Sequence, residues 1–165
     1  MKAVVVVESW FGNTREIGEA VARGLTVSGV QVEVASVDEA PAAVDGDVGL
    51  LVIGAPTHNR GLSTADTRAK AAEAVHRPVG SGAREWVASA ILPDDLNLAV
   101  FDTTNGRGWL SGSAAKAAAR ILSGRAPGRS IQTRTFVVRG MAGPLRPGEV
   151  EAAEAWGRSL ATVTR

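Results

Sequence analysis

Short apolar runs alternate with helix-like patterns along the whole chain. The runs at 4–7 and 48–53 are almost entirely apolar, which is typical of strands buried on both faces, whereas 31–37 alternates like an edge strand. Between the runs, apolar residues recur every three or four positions, which predicts helices with one buried face. The predicted strands are 4–7, 31–37, 48–53, 97–101 and 133–139. The first predicted helix starts near residue 13 or 14, and the last starts at Pro147. Three further predicted helices cover 64–75, 84–92 and 114–122.

The alternation of five strands with helices predicts one α/β domain over residues 1–165, without an internal repeat or linker. Such a pattern is typical of a three-layer, doubly wound parallel sheet with helices on both faces. Ligands of these sheets bind outside the carboxyl ends of the strands. Because the segments 9–14, 54–63 and 102–111 follow predicted strands, we expect them to line one site.

The first of these segments has the composition of a phosphate-binding turn. Gly12 permits close backbone approach, and Ser9 and Thr14 supply hydroxyl groups beside the predicted start of a helix. Unpaired amides and the positive end of a helix dipole stabilise a phosphate there without cationic side chains. The alternative is that Asn13 or Thr14 only caps the helix.

Composition limits the other possibilities. The chain contains no cysteine, which excludes disulfides, thiolate nucleophiles and cysteine-ligated metals. A formal charge of +1 and the lack of a basic run with aromatics give nucleic-acid binding no support. The apolar run after Lys2 is too short for a signal or membrane-spanning segment, so we expect a cytoplasmic protein that does not bind membranes.

Two motifs resemble those of flavodoxins, and the similarity covers nearly the whole chain. They are the Glu8–Thr14 segment, with Ser9, Gly12, Asn13 and Thr14 at matching positions, and the Gly54–His58 segment. The resemblance implies strand order 2-1-3-4-5, FMN as the cofactor, no metal and no catalytic residue of its own. It further implies a phosphate cradle of Ser9, Trp10, Phe11, Gly12, Asn13 and Thr14, one flavin face bordered by Pro56, Thr57, His58 and Asn59, and the other by Thr103, Thr104, Asn105, Gly106 and Trp109.

Some positions depart from the flavodoxin pattern. Phe11 replaces a hydroxyl residue of the phosphate loop, and the chain contains no tyrosine to stack on the flavin. His58 stands where flavodoxins are expected to have an aromatic residue. Asn59 stands where they tend to have a glycine, whose peptide can flip and hydrogen-bond the reduced flavin. Asparagine adopts positive φ more readily than most residues, so that flip is hindered but not forbidden.

Several side chains near the predicted site have two interpretations. His58 is either a donor or base at the flavin edge or an anchor of its loop. Trp10 either covers a ligand or a protein partner, or packs beneath the second loop. Arg60, Arg68 and Arg107 either surround the site or are solvated.

Three functions remain open. The first is an FMN-binding electron carrier served by redox partner proteins, as a monomer or weak dimer. The second is a flavin-free interaction module, favoured by the missing tyrosine and the position of Phe11. The third is a small FMN-dependent reductase of quinone-type acceptors, although no nicotinamide-binding motif is present.

Overall fold

The computed structural model describes residues 1–106 and 112–163. The elements are β1 (Lys2–Val7), α1 (Asn13–Val27), β2 (Gln31–Ser36), β3 (Val48–Pro56), α2 (Ala65–Val75), α3 (Ala83–Ser89), β4 (Asn97–Thr104), α4 (Ala114–Arg125), β5 (Ile131–Val137) and α5 (Glu149–Val163). The strands and helices follow the predicted chain order, with β2 followed directly by β3 and α2 by α3. No helix among these residues is long and apolar enough to cross a membrane.

The strands form one parallel sheet in the order β2-β1-β3-β4-β5. Val5 of β1 pairs with Val34 of β2 on one side and Val52 of β3 on the other. The predicted α/β class and strand order are therefore confirmed. Since β1 and β3 are neighbours while β2 lies outside β1, the strand order reverses at β1, and the ends of β1 and β3 flank the expected binding position.

Helices cover both faces of the sheet. On one face, α1 and α5 pack over Val5 and Phe101, and Trp156 of α5 is part of this core. On the other, α3 and α4 pack over Val100, and Trp86 of α3 is part of that core. Adjacent β4 residues thus enter opposite cores, as side-chain alternation in a strand requires, and the prediction that Trp86 and Trp156 are packed in the interior is confirmed.

The central strands extend further toward the site than predicted. Their last residues pair with each other, Ala55 with Asp102 and Pro56 with Thr103. Pro56, Thr103 and Thr104 therefore belong to strands rather than loops, which corrects the predicted ends at 53 and 101. In β4 the apolar run ends before the strand does, because an aspartate and two threonines follow it where the ladder reaches the carboxyl edge.

Several other boundaries also differ. Gly124 lies inside α4 instead of ending it, and α5 begins at Glu149, two residues after Pro147. The 84–92 helix covers only Ala83–Ser89, the last strand covers Ile131–Val137, and 38–44 forms turns without a helix. By contrast, Thr64 caps α2 as predicted, accepting a hydrogen bond from the Thr67 amide.

Candidate functional site

A cleft opens at the carboxyl edge of the sheet. It consists of two adjoining cavities of about 110 and 450 Å³. The residues that line both cavities come from each of the three predicted segments and from the segment after β5: Phe11, Thr57, His58, Thr104, Asn105 and Met141. The smaller cavity also contacts Trp10, Asn13, Thr14, Pro56 and Thr103, and the larger also contacts Asn59 and Arg60.

Three of the predicted site residues do not line this cleft. Ser9 and Gly12 border a separate cavity of about 110 Å³ on the β2 side of the turn, together with Arg15, Ser36 and Arg77. Gly106 lies at the end of a described segment and lines neither cavity of the cleft. Trp109 and Arg107, which the sequence placed in the third loop, lie outside the described residues.

The β1–α1 turn exposes backbone amides at the start of a helix. Gly12 has φ +91°, and a Cβ atom added there meets no described atom beyond its chain neighbours within 4 Å. The Ser9 hydroxyl accepts a hydrogen bond from the Arg15 amide at 3.3 Å. Within the described part of the chain, the amides at 11–14 have no protein partner. Such a helix start stabilises an anion through its free N–H groups and its dipole.

A pair of buried hydroxyls joins this turn to the end of β4. The Oγ1 atoms of Thr14 and Thr103 lie 2.7 Å apart, and both residues are buried. One hydroxyl donates to the other, which leaves a single O–H of the pair able to donate to a ligand. The contact places the β4 end directly beside the first turn of α1.

Trp10 is a packed side chain. It is 7% exposed and contacts Ala71 and Ala72 of α2. Its indole Nε1 donates to the carboxylate of Glu8 at 3.0 Å, and the second oxygen of Glu8 accepts from the Ala83 amide at 2.8 Å. The Trp10 side chain is therefore packed rather than available as an exposed protein-binding surface. Its packing against α2 holds the β1–α1 turn in place.

Arg77 further fixes the outer side of this turn. Its guanidinium lies 5.2 Å from the centre of the Trp10 ring and donates to the Ser9 carbonyl at 3.2 Å. The stacking of a guanidinium on an aromatic ring is favourable. A cation that the sequence analysis did not single out therefore lies next to the predicted phosphate-binding turn.

His58 begins a two-residue hairpin after β3. The amides and carbonyls of His58 and Gly61 exchange hydrogen bonds of 2.8 and 2.9 Å. The two residues between them, Asn59 and Arg60, have φ values of 43° and 72°. Asn59 thus adopts the positive φ that its side chain tolerates, and the main chain of His58 anchors the loop.

Burial lowers the pKa of the His58 imidazole, because it removes the charged form from water. The Glu8 carboxylate opposes this effect, and the Arg68 guanidinium reinforces it. His58 therefore favours the neutral form in the folded protein, able both to donate and to accept a hydrogen bond.

Arg68 does not lie on the surface of the cleft. It is 5% exposed, and its guanidinium contacts the Ser63 hydroxyl at 3.2 Å and the Glu85 carboxylate at 3.1 Å. This pair joins α2 to α3. Of the three arginines named from the sequence, the structure places Arg60 in the wall of the larger cavity.

Asp102 organises the ends of β3, β4 and α4. Its Oδ2 atom accepts from the Thr57 hydroxyl at 3.1 Å, the Ser113 hydroxyl at 2.6 Å and the Ala115 amide at 3.0 Å. The residue is fully buried, and its Oδ1 atom has no hydrogen-bond partner among the described residues. A carboxylate at the start of α4 is stabilised by the helix dipole and these donors. The network sets the position of Thr57, which lines both cavities.

Several contributors to this region were not singled out from the sequence, among them Glu8, Arg77 and Met141. For Glu8 a signal existed, since it is an acidic residue that directly follows an apolar strand. For Arg77 and Met141 no local signal existed, because their contacts depend on how distant segments meet.

No protein-family model and no curated protein matches this sequence. Solved structures do match it over nearly its whole length. The chain is similar to oxidised flavodoxin 1 and oxidised flavodoxin 2 from Bacillus cereus, with 16% and 15% identity and TM-scores of 0.70 and 0.71. These alignments cover 98% of both chains and 99% of both chains, respectively. It is also similar to a flavodoxin from the domain Archaea, with 20% identity, a TM-score of 0.64 and 99% of both chains covered. At these identities the likeness establishes the architecture, and the chain has the flavodoxin-like fold.

Proposed function

We propose that this protein binds FMN in the carboxyl-edge cleft and transfers electrons between partner proteins. One observation carries the proposal: the strand ends of a flavodoxin-like sheet bring all three predicted segments to the same cleft. This is where ligands bind in doubly wound sheets. The structural neighbours named flavodoxins support the same assignment.

The residues of the β1–α1 turn suit the phosphate of FMN. The amides at 11–14 have no partner among the described residues, and Gly12 leaves the backbone open to close approach. The Thr14 and Thr103 hydroxyls, which line the smaller cavity, keep one O–H able to donate, whereas Ser9 borders the separate cavity on the β2 side of the turn. The dipole of α1, the free amides and the hydroxyl groups together favour the binding of an anion at this turn.

The cleft walls suit a planar ring of the size of isoalloxazine. Ligand pockets commonly enclose about 300–1,000 Å³, and the larger cavity has about 450 Å³ before the smaller one adds to it. The hairpin after β3 borders the ring on one side, and Thr104 and Asn105 border it on another. Phe11 lines both cavities, so the residue that replaces a hydroxyl supplies an aromatic wall.

Bound FMN would supply the electron-transfer chemistry. The protein's residues hold and orient it: the turn binds the phosphate, the neutral His58 presents a hydrogen-bonding imidazole, and Asp102 holds Thr57 and the start of α4 in place. In this proposal no side chain acts as a catalytic acid or base, and electrons pass to a redox partner protein.

Comparison of FMN with riboflavin tests the proposal directly. Riboflavin lacks the phosphate, so it should bind at least tenfold more weakly than FMN if the turn binds that group. The measurement is titration of tryptophan fluorescence, because Trp10 lines the smaller cavity, supported by calorimetry. Equal affinities would contradict phosphate binding. The absence of FMN binding would favour the flavin-free interaction module.

A matched pair of variants then tests the turn itself. Thr14→Val removes the buried hydroxyl that contacts Thr103 and should weaken FMN binding by about 1–3 kcal/mol, the cost of unsatisfied groups beside a charge. Thr14→Ser keeps the hydroxyl and should bind FMN nearly as tightly as the wild type. Riboflavin affinity should change little in both variants. Equal losses for FMN and riboflavin would assign Thr14 a packing role only.

A reductase is the second candidate, and the size of the larger cavity favours it. This cavity extends from the hairpin to α2, where Thr67, Lys70 and Ala74 line it, which leaves room for an acceptor beside a ring. Quinone-dependent consumption of a nicotinamide donor by the FMN-loaded protein tests this function. Turnover no faster than that of free FMN would leave electron transfer between proteins as the function.

A further inference from the structure

We propose that Met141, in the loop 138–146 after β5, covers the ring of a planar aromatic ligand bound in the cleft. The inference rests on the proposed function, since FMN is the ligand that the cleft best fits. It adds a fourth segment to the site, one that neither motif contains. Met141 thereby becomes a ring-contacting residue of the cofactor site.

Met141 lines both cavities of the cleft while remaining largely open to solvent. Its side chain is 80% exposed, the largest exposure among the described large hydrophobic side chains. It lies beside Phe11, Thr104 and Asn105 in the walls of both cavities. A ligand in the cleft would remove this apolar surface from water, which is favourable in proportion to the area buried.

The main chain on both sides of Met141 is hydrogen-bonded. The Arg139 amide donates to the Pro144 carbonyl at 2.7 Å, and the Arg146 amide donates to the Val137 carbonyl at 2.9 Å. These bonds tie the two ends of the loop together at the end of β5. The exposed thioether therefore belongs to a segment with a defined position and not to a free tail.

The loop is also attached to the phosphate-binding turn. The Asn13 side-chain amide donates to the Ala142 carbonyl at 3.0 Å. Gly143 packs so closely that an added Cβ would lie 2.4 Å from the Asn13 Oδ1 atom, and its φ is +97°. Because the turn and the loop are in direct contact, a phosphate held by the turn fixes the rest of the ligand relative to Met141.

A methionine is chemically suited to this position. Its thioether is polarisable and makes favourable contacts with aromatic ring edges, and its unbranched chain adapts to the ring surface. The chain has no tyrosine, and His58 occupies the hairpin where an aromatic would stack. Met141 and Phe11 together supply the apolar cover that those aromatics would otherwise provide.

Two substitutions separate apolar contact from simple occupancy of space. Met141→Gln keeps the length of the side chain but makes it polar, and should weaken FMN binding about 3- to 10-fold, the size of a sulfur–aromatic contact with its buried area. Met141→Leu keeps the apolar character and should stay within about 2-fold of the wild type. Ile91→Gln, at an apolar residue 68% exposed and absent from the walls of the cleft, is the matched control and should leave affinity unchanged.

Lumiflavin, which has the ring without ribityl or phosphate, distinguishes this inference from the proposed function. Met141→Gln should weaken the binding of lumiflavin and the binding of FMN by the same factor, because the contact is to the ring. If the wild type binds FMN and the glutamine variant binds FMN and lumiflavin each as tightly as the wild type does, Met141 does not contact the ring. The proposal that the protein binds FMN then still stands. If lumiflavin binding depends on Met141 but FMN binds no better than lumiflavin, phosphate binding fails and the ring contact stands. Binding of neither ligand overturns both.

Oxidation of the wild-type protein gives an independent readout. Dilute hydrogen peroxide transfers one oxygen atom to a methionine sulfur and is itself reduced to water. The chain has only two methionines, and Met1, 48% exposed beside Gly49, is an internal reference. In the dark, saturating FMN should slow sulfoxide formation at Met141 severalfold without affecting Met1, as measured by peptide mass spectrometry. Equal rates with and without bound FMN would overturn the inference.

Discussion

At the scale of single residues, the carboxyl edge is built from polar side chains that are removed from water. Glu8 and Asp102 are 2% and 0% exposed, and each accepts hydrogen bonds from segments distant in the chain. A buried carboxylate is costly unless it is hydrogen-bonded, so these contacts select one arrangement of the loops. Residues that lie in or next to the predicted ligand-binding segments therefore also stabilise the fold.

Substitution of His58 tests the effect of its burial. Because the folded-state pKa of His58 lies below its usual value, the unfolded chain binds a proton more readily as the pH falls through about 6.5. Protonation then favours unfolding, whereas at pH 7.5 both states are neutral and the contribution vanishes. The free energy of unfolding should therefore fall less between pH 7.5 and 5.5 in His58→Gln than in the wild type, as measured by urea denaturation.

His76 provides the matched control. It is exposed at the end of α2, so His76→Gln makes the same substitution outside the buried hairpin and is measured in parallel. A His58→Gln variant whose stability changes with pH as the wild type's does would show that the imidazole is equally protonated in folded and unfolded chains.

At the scale of elements, the packing of α1 on α5 depends on two glycines. A Cβ at Gly24 would lie 2.1 Å from the Glu154 carbonyl oxygen, and one at Gly157 would lie 2.2 Å from the Val21 carbonyl oxygen. The helix backbones therefore approach more closely than any side chain permits. Since α1 begins at the predicted phosphate-binding turn, this contact also supports the candidate site.

A pair of glycine substitutions measures this close approach. Gly24→Ala should lower the free energy of unfolding by about 1–3 kcal/mol, because the helices must separate to admit the methyl group. Gly124→Ala, in α4 with nothing within 4 Å of the added Cβ, should leave stability unchanged or raise it by up to about 1 kcal/mol. Urea denaturation of both variants provides the comparison. Equal effects would mean that α1 and α5 can move apart at little cost.

At the scale of the whole molecule, the candidate site joins segments from opposite ends of the chain. The turn after β1 contacts the loop after β5 through Asn13 and Ala142, and the end of β4 through Thr14 and Thr103. A ligand bound across these segments is released when they separate. Ligand binding should consequently be coupled to the unfolding of the whole domain.

Thermal unfolding with added FMN tests this coupling. At a free concentration of 100 times Kd, FMN should stabilise the folded protein by about 2.7 kcal/mol, which raises Tm by roughly 5–10 °C for a domain of this size. Riboflavin at the same concentration should raise Tm less, because it binds more weakly. A Tm independent of FMN, with binding demonstrated separately, would mean that the site persists after the main transition.

Much of the architecture follows from local patterns. Valine- and leucine-rich runs define β1 and β3, the three- and four-residue periodicity defines α1, and the strand–helix alternation implies a parallel sheet. Element ends were less predictable. Pro56 and Thr103 extend their strands because each pairs with the other, and that pairing is a property of two distant segments rather than of either one.

The sequence by itself determined the α/β architecture, the turn–helix start at Gly12 and the segments that meet at the carboxyl edge. Those features depend on periodicity, residue type and the rule that parallel strands end on the same side. Tertiary structure alone decided that Trp10 packs against α2, that Arg68 pairs with Glu85, and that Met141 reaches the cleft. Each of these depends on which distant groups satisfy a buried side chain or approach an open surface, and such choices are made only when the whole chain packs.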